Sequence, residues 1–281
     1  METPSAPDAR PPEVGSSLPT CGFRTNYHDA GNGPGVLLIH GSGPGVTAWA
    51  NWRLTIPVLA RQARVVAPDM VGFGYTESPP GVQYHWSTWV DQLTALLDAL
   101  KLERVSVVGN SFGGALALKL AARHPGRVDR LVLMGPVGLR FPITDGLEKV
   151  WGYQPSPAAM RELLDVFVHD PSFIDDDLVA MRYRASIRDD VQARFGSMFP
   201  SPRQRILDDM ATDEAVLRAI PHETLIIHGR GDKVIPVEAS RRLAQAMPRA
   251  RLAEIDRCGH WVQIEQPAAF TALVGEFLAP R

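Results

Sequence analysis

The chain has 281 residues, 45% of them hydrophobic, and a formal net charge of −2 from 29 basic and 31 acidic residues. A chain of this length can bury a large core, and its balanced charge excludes a basic field for nucleic acid or a polybasic patch for membranes. Because no apolar run approaches the ~20 residues that span a bilayer, we expect no membrane partner.

The first segment, residues 1–20, is predicted to be a disordered tail. Five prolines stand there among small polar residues, without an apolar signal core. So little apolar surface does not offset the entropy cost of ordering the chain. Cys21 and Cys258 are the two cysteines, and their separation lacks metal-ligand spacing. We therefore expect a cytoplasmic protein without a metal site or a disulfide framework.

Short apolar runs predict the buried strands of a parallel sheet, and runs at helical spacing predict the helices beside it. The predicted strands cover residues 36–40, 65–69, 104–108, 131–134, 224–228 and 252–255. The predicted helices cover residues 90–100, 112–123 and 267–278. Asp69 stands at the end of the second strand, where we expect it to brace the turn that follows.

The pattern changes between residues 138 and 218, where prolines break short helical pieces and aromatic residues are scattered. This change predicts a helical cap inserted into an α/β core formed by residues 21–137 and 219–281. Each aromatic residue by itself is a candidate for the cap's own core. An aromatic-rich cap above a reactive serine nevertheless favours a substrate pocket.

The segment Gly109-Asn110-Ser111-Phe112-Gly113 lies between a predicted strand and a predicted helix. A serine at the tip of such a strained turn needs glycine neighbours, because the following helix approaches closely. The hydroxyl of Ser111 would then project above the sheet as a nucleophile. The alternative is a serine that only caps the helix.

A glycine-rich loop, Gly41-Ser42-Gly43-Pro44-Gly45, follows the first predicted parallel strand. It lacks the spacing of a phosphate-binding loop, which leaves nucleotide binding as a weak alternative. Glycine also frees backbone N–H groups to face an oxyanion. We therefore expect the N–H groups of Ser42 and Phe112 to form an oxyanion hole.

Ser111, Asp232 and His260 each follow a predicted parallel strand, in that chain order. A serine nucleophile needs a base, and the base needs a carboxylate to fix its tautomer, so this order predicts a catalytic triad of the α/β-hydrolase type. Asp232 could instead form only a turn, and His260 could be a surface residue. Cys258 is an alternative nucleophile, against a role in packing.

The resemblance extends beyond the fold. Four core segments resemble the meta-cleavage product hydrolases: residues 40–53, 67–74, 108–114 and 258–261. Two cap segments, residues 150–153 and 197–205, resemble the same family. The resemblance therefore covers nearly all of the chain after the tail. The family implies an α/β-hydrolase fold with a mostly parallel eight-stranded sheet flanked by helices and an inserted helical cap. It implies no cofactor, and it implies a homo-oligomer, a dimer or an assembly of dimers.

The resemblance further implies hydrolysis of a carbon–carbon bond in 2-hydroxy-6-oxohexa-2,4-dienoate compounds during meta-cleavage degradation of aromatic compounds. The branch that is most similar acts on 2-hydroxymuconate semialdehyde and its 6-alkyl homologues, giving 2-hydroxypenta-2,4-dienoate and a carboxylic acid. His260 would serve the proton transfers. Attack by Ser111 itself, or by water that it assists, remains open, and so does the size of the C6 substituent.

By the same resemblance, Arg182 matches the arginine that binds the substrate carboxylate. Gly41, Asn51, Asn110 and Trp261 would line the same end of the pocket. An arginine fork bonds a carboxylate through two parallel hydrogen bonds. Arg184 and Arg188 are two further candidates for this role. Each of the three arginines could instead lie on a solvated helix face.

Two other functions remain as alternatives. A carboxylesterase would use the same triad on simple esters and would need no arginine. A ligand-binding receptor could keep the triad and signal to a partner protein. Dehalogenases of this fold are excluded, because they need a carboxylate where this chain has Ser111.

Overall fold

A computed structural model describes residues 11–279. Within that range, one sheet contains eight strands in the order β1-β2-β4-β3-β5-β6-β7-β8. The strands are β1 Ser16–Thr20, β2 Phe23–Ala30, β3 Gly35–Ile39, β4 Arg64–Pro68, β5 Val105–Asn110, β6 Val128–Met134, β7 Glu223–Gly229 and β8 Ala250–Ile255. The pairs β1–β2 and β2–β4 are antiparallel, and all other pairs are parallel, as the α/β-hydrolase prediction required.

Helices cover both faces of this sheet. They are α1 Ala48–Trp52, α2 Ile56–Leu59, α3 Trp86–Ala99, α4 Phe112–Arg123, α5 Asp145–Trp151, α6 Pro157–Phe167, α7 Asp176–Ser186, α8 Val191–Met198, α9 Gln204–Met210, α10 Glu214–Ala219, α11 Val237–Ala246, α12 Val262–Glu265 and α13 Pro267–Leu278. None of the helices within residues 11–279 is long and apolar enough to cross a membrane.

The continuous apolar runs of the central strands are buried on both faces. Leu37 and Ile39 of β3 belong to one core cluster, whereas Val36 and Leu38 belong to the other. Successive side chains of a strand point to opposite faces, so a strand covered on both sides must be apolar throughout. The first cluster lies under α3, α4 and the inserted helices, and the second lies under α1, α2 and α13.

Six helices, α5–α10, are inserted between β6 and β7. The last two of them, α9 and α10, pack against α4 of the core. Lys119 of α4 also donates a hydrogen bond from Nζ to the carbonyl oxygen of Ala211, 2.7 Å away. The division at residues 138 and 218 stays a prediction.

The prediction of a disordered tail is wrong for residues 16–20, which form the edge strand β1. Ser16 pairs with Tyr27 and Thr20 pairs with Phe23 of β2, a strand that the apolar pattern did not predict either. Thr20 and Thr25 also share a buried hydrogen bond of 2.6 Å between their hydroxyl oxygens. Hydrogen bonds to a neighbouring strand stabilise this edge, and the local content of apolar residues does not report them. The rest of the predicted tail, residues 1–10, lies outside the described residues.

Candidate active site

Ser111 sits at a strained turn between β5 and α4. Its backbone has φ 54° and ψ −112°, a region that non-glycine residues rarely adopt. A Cβ on Gly109 would lie 2.3 Å from the carbonyl oxygen of Gly113, and a Cβ on Gly113 would lie 2.3 Å from that of Ile39. The turn therefore requires both glycines. The side chain of Ser111 makes no capping hydrogen bond to α4, which removes the capping alternative.

Asp232 and His260 come from the loops after β7 and β8 and meet in a short hydrogen bond. His260 Nδ1 lies 2.7 Å from Asp232 Oδ2, and both side chains are buried. Asp232 Oδ1 accepts hydrogen bonds from the backbone of Val234 and Ile235 at 2.7 and 2.9 Å. Asp232 therefore stabilises a turn, as the alternative interpretation of this residue proposed, and it also contacts His260.

The pKa of Asp232 lies below its usual range. Burial opposes this shift, but the charge of His260 and hydrogen bonds from His228 and His260 outweigh it. The carboxylate is thus ionised, in the state that holds Nδ1 of His260 as a donor and leaves Nε2 free for a proton transfer.

His228 is a residue of this site that the sequence analysis missed. Its Nε2 lies 3.2 Å from Asp232 Oδ2 and 2.9 Å from the carbonyl oxygen of Ile235. Both neighbours are acceptors, so Nε2 carries the hydrogen. On the other side of the ring, Nδ1 lies 2.6 Å from the hydroxyl of Ser240. The one available signal was a histidine at the end of a buried strand, four residues before the predicted acid.

A cavity of about 30 Å³ lies above the sheet, and eight of the ten predicted site residues line it. They are Gly41, Ser42, Asn51, Asn110, Ser111, Arg182, His260 and Trp261. The structure thus brings together residues from the core loops and from cap helix α7. We call this cavity the reaction pocket. Asp232 is not part of the lining, although it contacts His260, and the Phe112 ring packs in the core against Phe73 and Trp89.

The two N–H groups predicted to bind an oxyanion are free within the described part of the chain. Phe112 is the first residue of α4, so its N–H has no acceptor inside the helix. The N–H groups of Ser42 and Phe112 donate to no backbone oxygen of residues 11–279. The Ser42 hydroxyl accepts a hydrogen bond from Trp151 Nε1 at 2.9 Å, which ties this loop to cap helix α5.

Asn51 and Asn110 leave a donor and an acceptor unpaired at the reaction pocket. Asn110 Nδ2 donates to Asn51 Oδ1 at 2.9 Å, and the backbone N–H of Gly41 donates to the same oxygen at 3.1 Å. Among residues 11–279, nothing pairs with the buried Asn51 Nδ2 or Asn110 Oδ1. Buried polar atoms without partners are rare, so this pair is suited to a polar ligand.

Arg182 is the one of the three candidate arginines that lines the reaction pocket. Its guanidinium donates a long hydrogen bond of 3.4 Å to the carbonyl oxygen of Pro44 and has no carboxylate partner among the described residues. Burial lowers the pKa of Arg182 to about 10, with repulsion from Arg53 as the next cause. Arg188 instead lies over the Tyr75 ring at 3.8 Å, and Arg184 is exposed.

Cys258 does not line the reaction pocket, although it is buried next to the His260 loop. Burial raises the pKa of its thiol to about 12, with the charge of Glu265 as the next cause. A thiol in this state is not a nucleophile at neutral pH, which favours the packing role. Within residues 11–279, no group of three His, Cys, Asp or Glu side chains could hold a metal ion.

Comparisons with known proteins agree with this geometry. Residues 34–267 match the family model of the alpha/beta hydrolase fold. The chain is 56% identical to a 2-hydroxymuconate semialdehyde hydrolase of Pseudomonas sp. strain CF600, over 95% of each chain. It is 55% identical to a 2-hydroxy-6-oxo-2,4-heptadienoate hydrolase of Pseudomonas putida, over 95% of this chain and 97% of that one.

A solved structure is similar over nearly the whole chain. It is a meta-cleavage product hydrolase from Pseudomonas fluorescens IP01, a mutant complexed with acetates. The sequence identity is 53% and the TM-score is 0.94, covering 94% of this chain and 97% of that one.

Proposed function

Because the chain belongs to the alpha/beta hydrolase fold family and, within it, to the meta-cleavage product hydrolases, we propose that it hydrolyses the C5–C6 bond of 2-hydroxy-6-oxohexa-2,4-dienoates. One observation carries the proposal. A half-buried arginine that forms no ion pair among the described residues, Arg182, lines the same pocket as Ser111 and His260. Such a cation suits the carboxylate of a dienoate, and an esterase has no need of it.

In the reaction that we propose, the substrate first changes from its dienol to a diketone. The C2 hydroxyl loses its proton and C5 gains one, with His260 serving the transfer. The C5–C6 electron pair can then leave through C4 and C3 to the oxygen on C2. Without this step the bond would have to release an unstabilised carbanion.

Ser111 then serves as the nucleophile, with His260 as its base and Asp232 as the carboxylate that orients His260. Oxygen attacks C6, and the N–H groups of Ser42 and Phe112 bind the oxyanion that forms. Collapse of this intermediate breaks the C5–C6 bond, and the oxygen on C2 of the departing dienolate takes the proton that His260 received from Ser111, which gives 2-hydroxypenta-2,4-dienoate. Water then releases the carboxylic acid from the serine ester in a second step.

We further propose that the C6 substituent is hydrogen or a small alkyl group. Leu147 and Val150 of α5 and Val234 line the reaction pocket, whose volume is about 30 Å³. Such aliphatic side chains suit a small apolar substituent. The two relatives above act on a semialdehyde and on a heptadienoate, whose C6 carries hydrogen and a methyl group by their names.

The test follows the coloured dienolate absorbance with the ring-fission products of catechol, 3-methylcatechol and 2,3-dihydroxybiphenyl. We expect rapid turnover of the first two and slow turnover of the third. Ser111→Ala should reduce kcat by more than about 10³-fold, since the nucleophile is removed. Hydrolysis of p-nitrophenyl acetate alone, without any dienoate turnover, would contradict the proposal.

A homo-oligomer and a cytoplasmic location also remain predictions for this enzyme. Light scattering on the purified protein tests the first, with a dimer or an assembly of dimers as the expected mass. Cell fractionation tests the second.

A further inference from the structure

A second and larger cavity adjoins the reaction pocket. Its volume is about 320 Å³, and it lies between α1 and α7. Its lining includes Trp49 of α1, Arg53 directly after α1, Met181 and Arg182 of α7, Trp261, and Glu13. We call it the outer cavity. It shares Asn51, Arg182 and Trp261 with the reaction pocket, so the two spaces meet at the guanidinium of Arg182.

The two volumes differ in what they can hold. The reaction pocket, at about 30 Å³, has room for a water molecule or two. A six-carbon dienoate is larger than that, so it must also occupy neighbouring space. The outer cavity, at about 320 Å³, has ample room for such a molecule beside Arg182.

The outer cavity carries an excess of positive charge. Arg53, Arg182 and Arg188 line it, and Glu13 is the one acidic residue of the lining. Arg188 is engaged elsewhere, because its Nη2 donates to the carbonyl oxygen of Gly74 at 2.8 Å and its plane lies over Tyr75. Arg53 donates to the carbonyl oxygen of Ala50 in α1, at 2.9 Å.

Arg53 and Arg182 therefore face one cavity, and neither forms an ion pair with a carboxylate among the described residues. The two cations are near enough for Arg53 to lower the pKa of Arg182, and the charge of Glu13 acts in the opposite direction. Like charges that are partly removed from water repel each other, and an anion between them relieves both the repulsion and the lost hydration. The lining otherwise consists largely of apolar groups, among them the rings of Trp49 and Trp261. A planar unsaturated carboxylate matches this combination.

We propose that the outer cavity is a binding site for unsaturated carboxylates, in which Arg53 and Arg182 hold the carboxylate before the dienoate enters the reaction pocket. Arg53 is then a binding residue outside the reaction pocket. The identity of the carboxylate as the substrate rests on the proposed function. Binding of an unreactive carboxylate does not.

Sorbate, hexa-2,4-dienoate, is a suitable probe because it has the carboxylate and the diene but lacks the 6-oxo group that is attacked. Its binding is measured by quenching of tryptophan fluorescence, since two tryptophans line the outer cavity. We expect Arg53→Gln to raise the Kd of sorbate by about three- to tenfold, with a weaker dependence on ionic strength. Arg53→Lys keeps the charge and should retain most of the affinity.

Two controls accompany the measurement. Arg61→Gln removes an exposed charge that does not line the outer cavity and should leave the Kd of sorbate unchanged. Hexa-2,4-dien-1-ol has the same diene without a charge, so Arg53→Gln should not weaken its binding. Circular dichroism checks that each variant is folded.

An unchanged Kd of sorbate in a folded Arg53→Gln variant would overturn the proposal, and so would equal losses for sorbate and the neutral alcohol. If the wild-type protein binds sorbate through Arg53 but hydrolyses no dienoate, the proposed function fails while the carboxylate site stands. In the dienoate assay, we expect the effect of Arg53→Gln to fall mainly on KM.

Discussion

Asp232 contacts two histidines, and each contact affects a different property of the site. His260 lies on the reaction pocket, whereas His228 lies behind the carboxylate and does not line the pocket. The donor from His228 fixes the orientation of the carboxylate and withdraws some of its negative charge from His260. Its loss should therefore weaken the alignment of the carboxylate with His260.

We expect His228→Met, which keeps bulk without a donor, to lower kcat of dienoate hydrolysis by about tenfold. His228→Gln offers an N–H near the position of Nε2 and should restore most of the kcat. Equal losses of kcat in the Met and Gln variants would mean that His228 serves packing alone.

Arg182 makes a second prediction on the residue scale. Loss of charge-assisted hydrogen bonds to a carboxylate costs about 1.5 to 3 kcal/mol. We therefore expect Arg182→Gln to lower kcat/KM for the dienoate by roughly ten- to hundredfold. Hydrolysis of p-nitrophenyl acetate should change far less, because that ester is neutral. Arg184→Gln, at an exposed position of the same helix, is the matched control, and equal losses on both substrates would remove the role of Arg182.

On the scale of elements, the cap is fastened to the loop that carries His260. The N–H groups of His260 and Trp261 donate to the carbonyl oxygen of Phe167, at 2.8 and 3.2 Å, where α6 ends. Glu265 of α12 joins the same two segments. Its carboxylate accepts hydrogen bonds from the N–H groups of Gly259 at 2.6 Å and His169 at 2.8 Å. The position of His260, the proposed base, thus depends on the cap.

We expect Glu265→Gln to reduce the free energy of unfolding by about 1 to 3 kcal/mol, because an amide offers one oxygen where the carboxylate offers two. The variant should also show a lower kcat, since the His260 loop loses a contact. Urea unfolding measures the first effect. Glu276→Gln changes an exposed glutamate of α13 and should leave stability within about 0.5 kcal/mol of wild type. A Glu265→Gln variant as stable as this control would contradict the prediction.

On the scale of the whole molecule, the fully buried His40 and Asp69 have opposite effects on how the free energy of unfolding changes with pH. His40 is neutral, because its Nε2 accepts the N–H of Met70 at 3.0 Å while Nδ1 donates to the carbonyl oxygen of Gly41 at 2.7 Å. Burial lowers its pKa to about 4. Asp69 braces the turn after β4, as the sequence predicted, by accepting the N–H of Tyr75 at 2.8 Å. Burial raises its pKa to about 6, against several hydrogen bonds that act to lower it.

The contribution of His40 to stability is present above its unfolded pKa of 6.5 and is lost as the pH falls towards 4. The contribution of Asp69 is present below its unfolded pKa of 3.8 and is lost as the pH rises through 6. Each group has a slope of at most about 1.4 kcal/mol per pH unit, and the two slopes have opposite signs. The two effects therefore nearly cancel between about pH 4 and pH 6 in the wild-type protein.

We expect His40→Gln to remove the effect of His40 that opposes that of Asp69. The free energy of unfolding of this variant, relative to wild type, should therefore fall as the pH rises from about 4 to 6. Asp69→Asn should do the reverse and lose stability relative to wild type as the pH falls from 6.5 towards 4. Urea unfolding at several pH values measures both trends. Parallel pH curves for both variants and the wild type would show that neither group titrates in this range.

The sequence by itself determined the central strands and the strained turn at Ser111, because both depend on local chemistry. Apolar runs are the requirement of strands buried on both faces, and Gly109 and Gly113 are the requirement of a turn that excludes any Cβ. Ser111, Asp232 and His260 each follow a parallel strand, so the three loops that carry them lie at the same edge of the sheet.

Only the tertiary structure decided the contacts between residues that are distant in sequence. The edge strand β1 exists because β2 supplies its hydrogen bonds, and no local apolar pattern reports that pairing. The ring orientation of His228, the fastening of the cap by Glu265 and the outer cavity beside Arg53 depend likewise on how elements pack. The local sequence specifies whether a segment needs burial or hydrogen-bond partners, whereas packing decides which other segment supplies them.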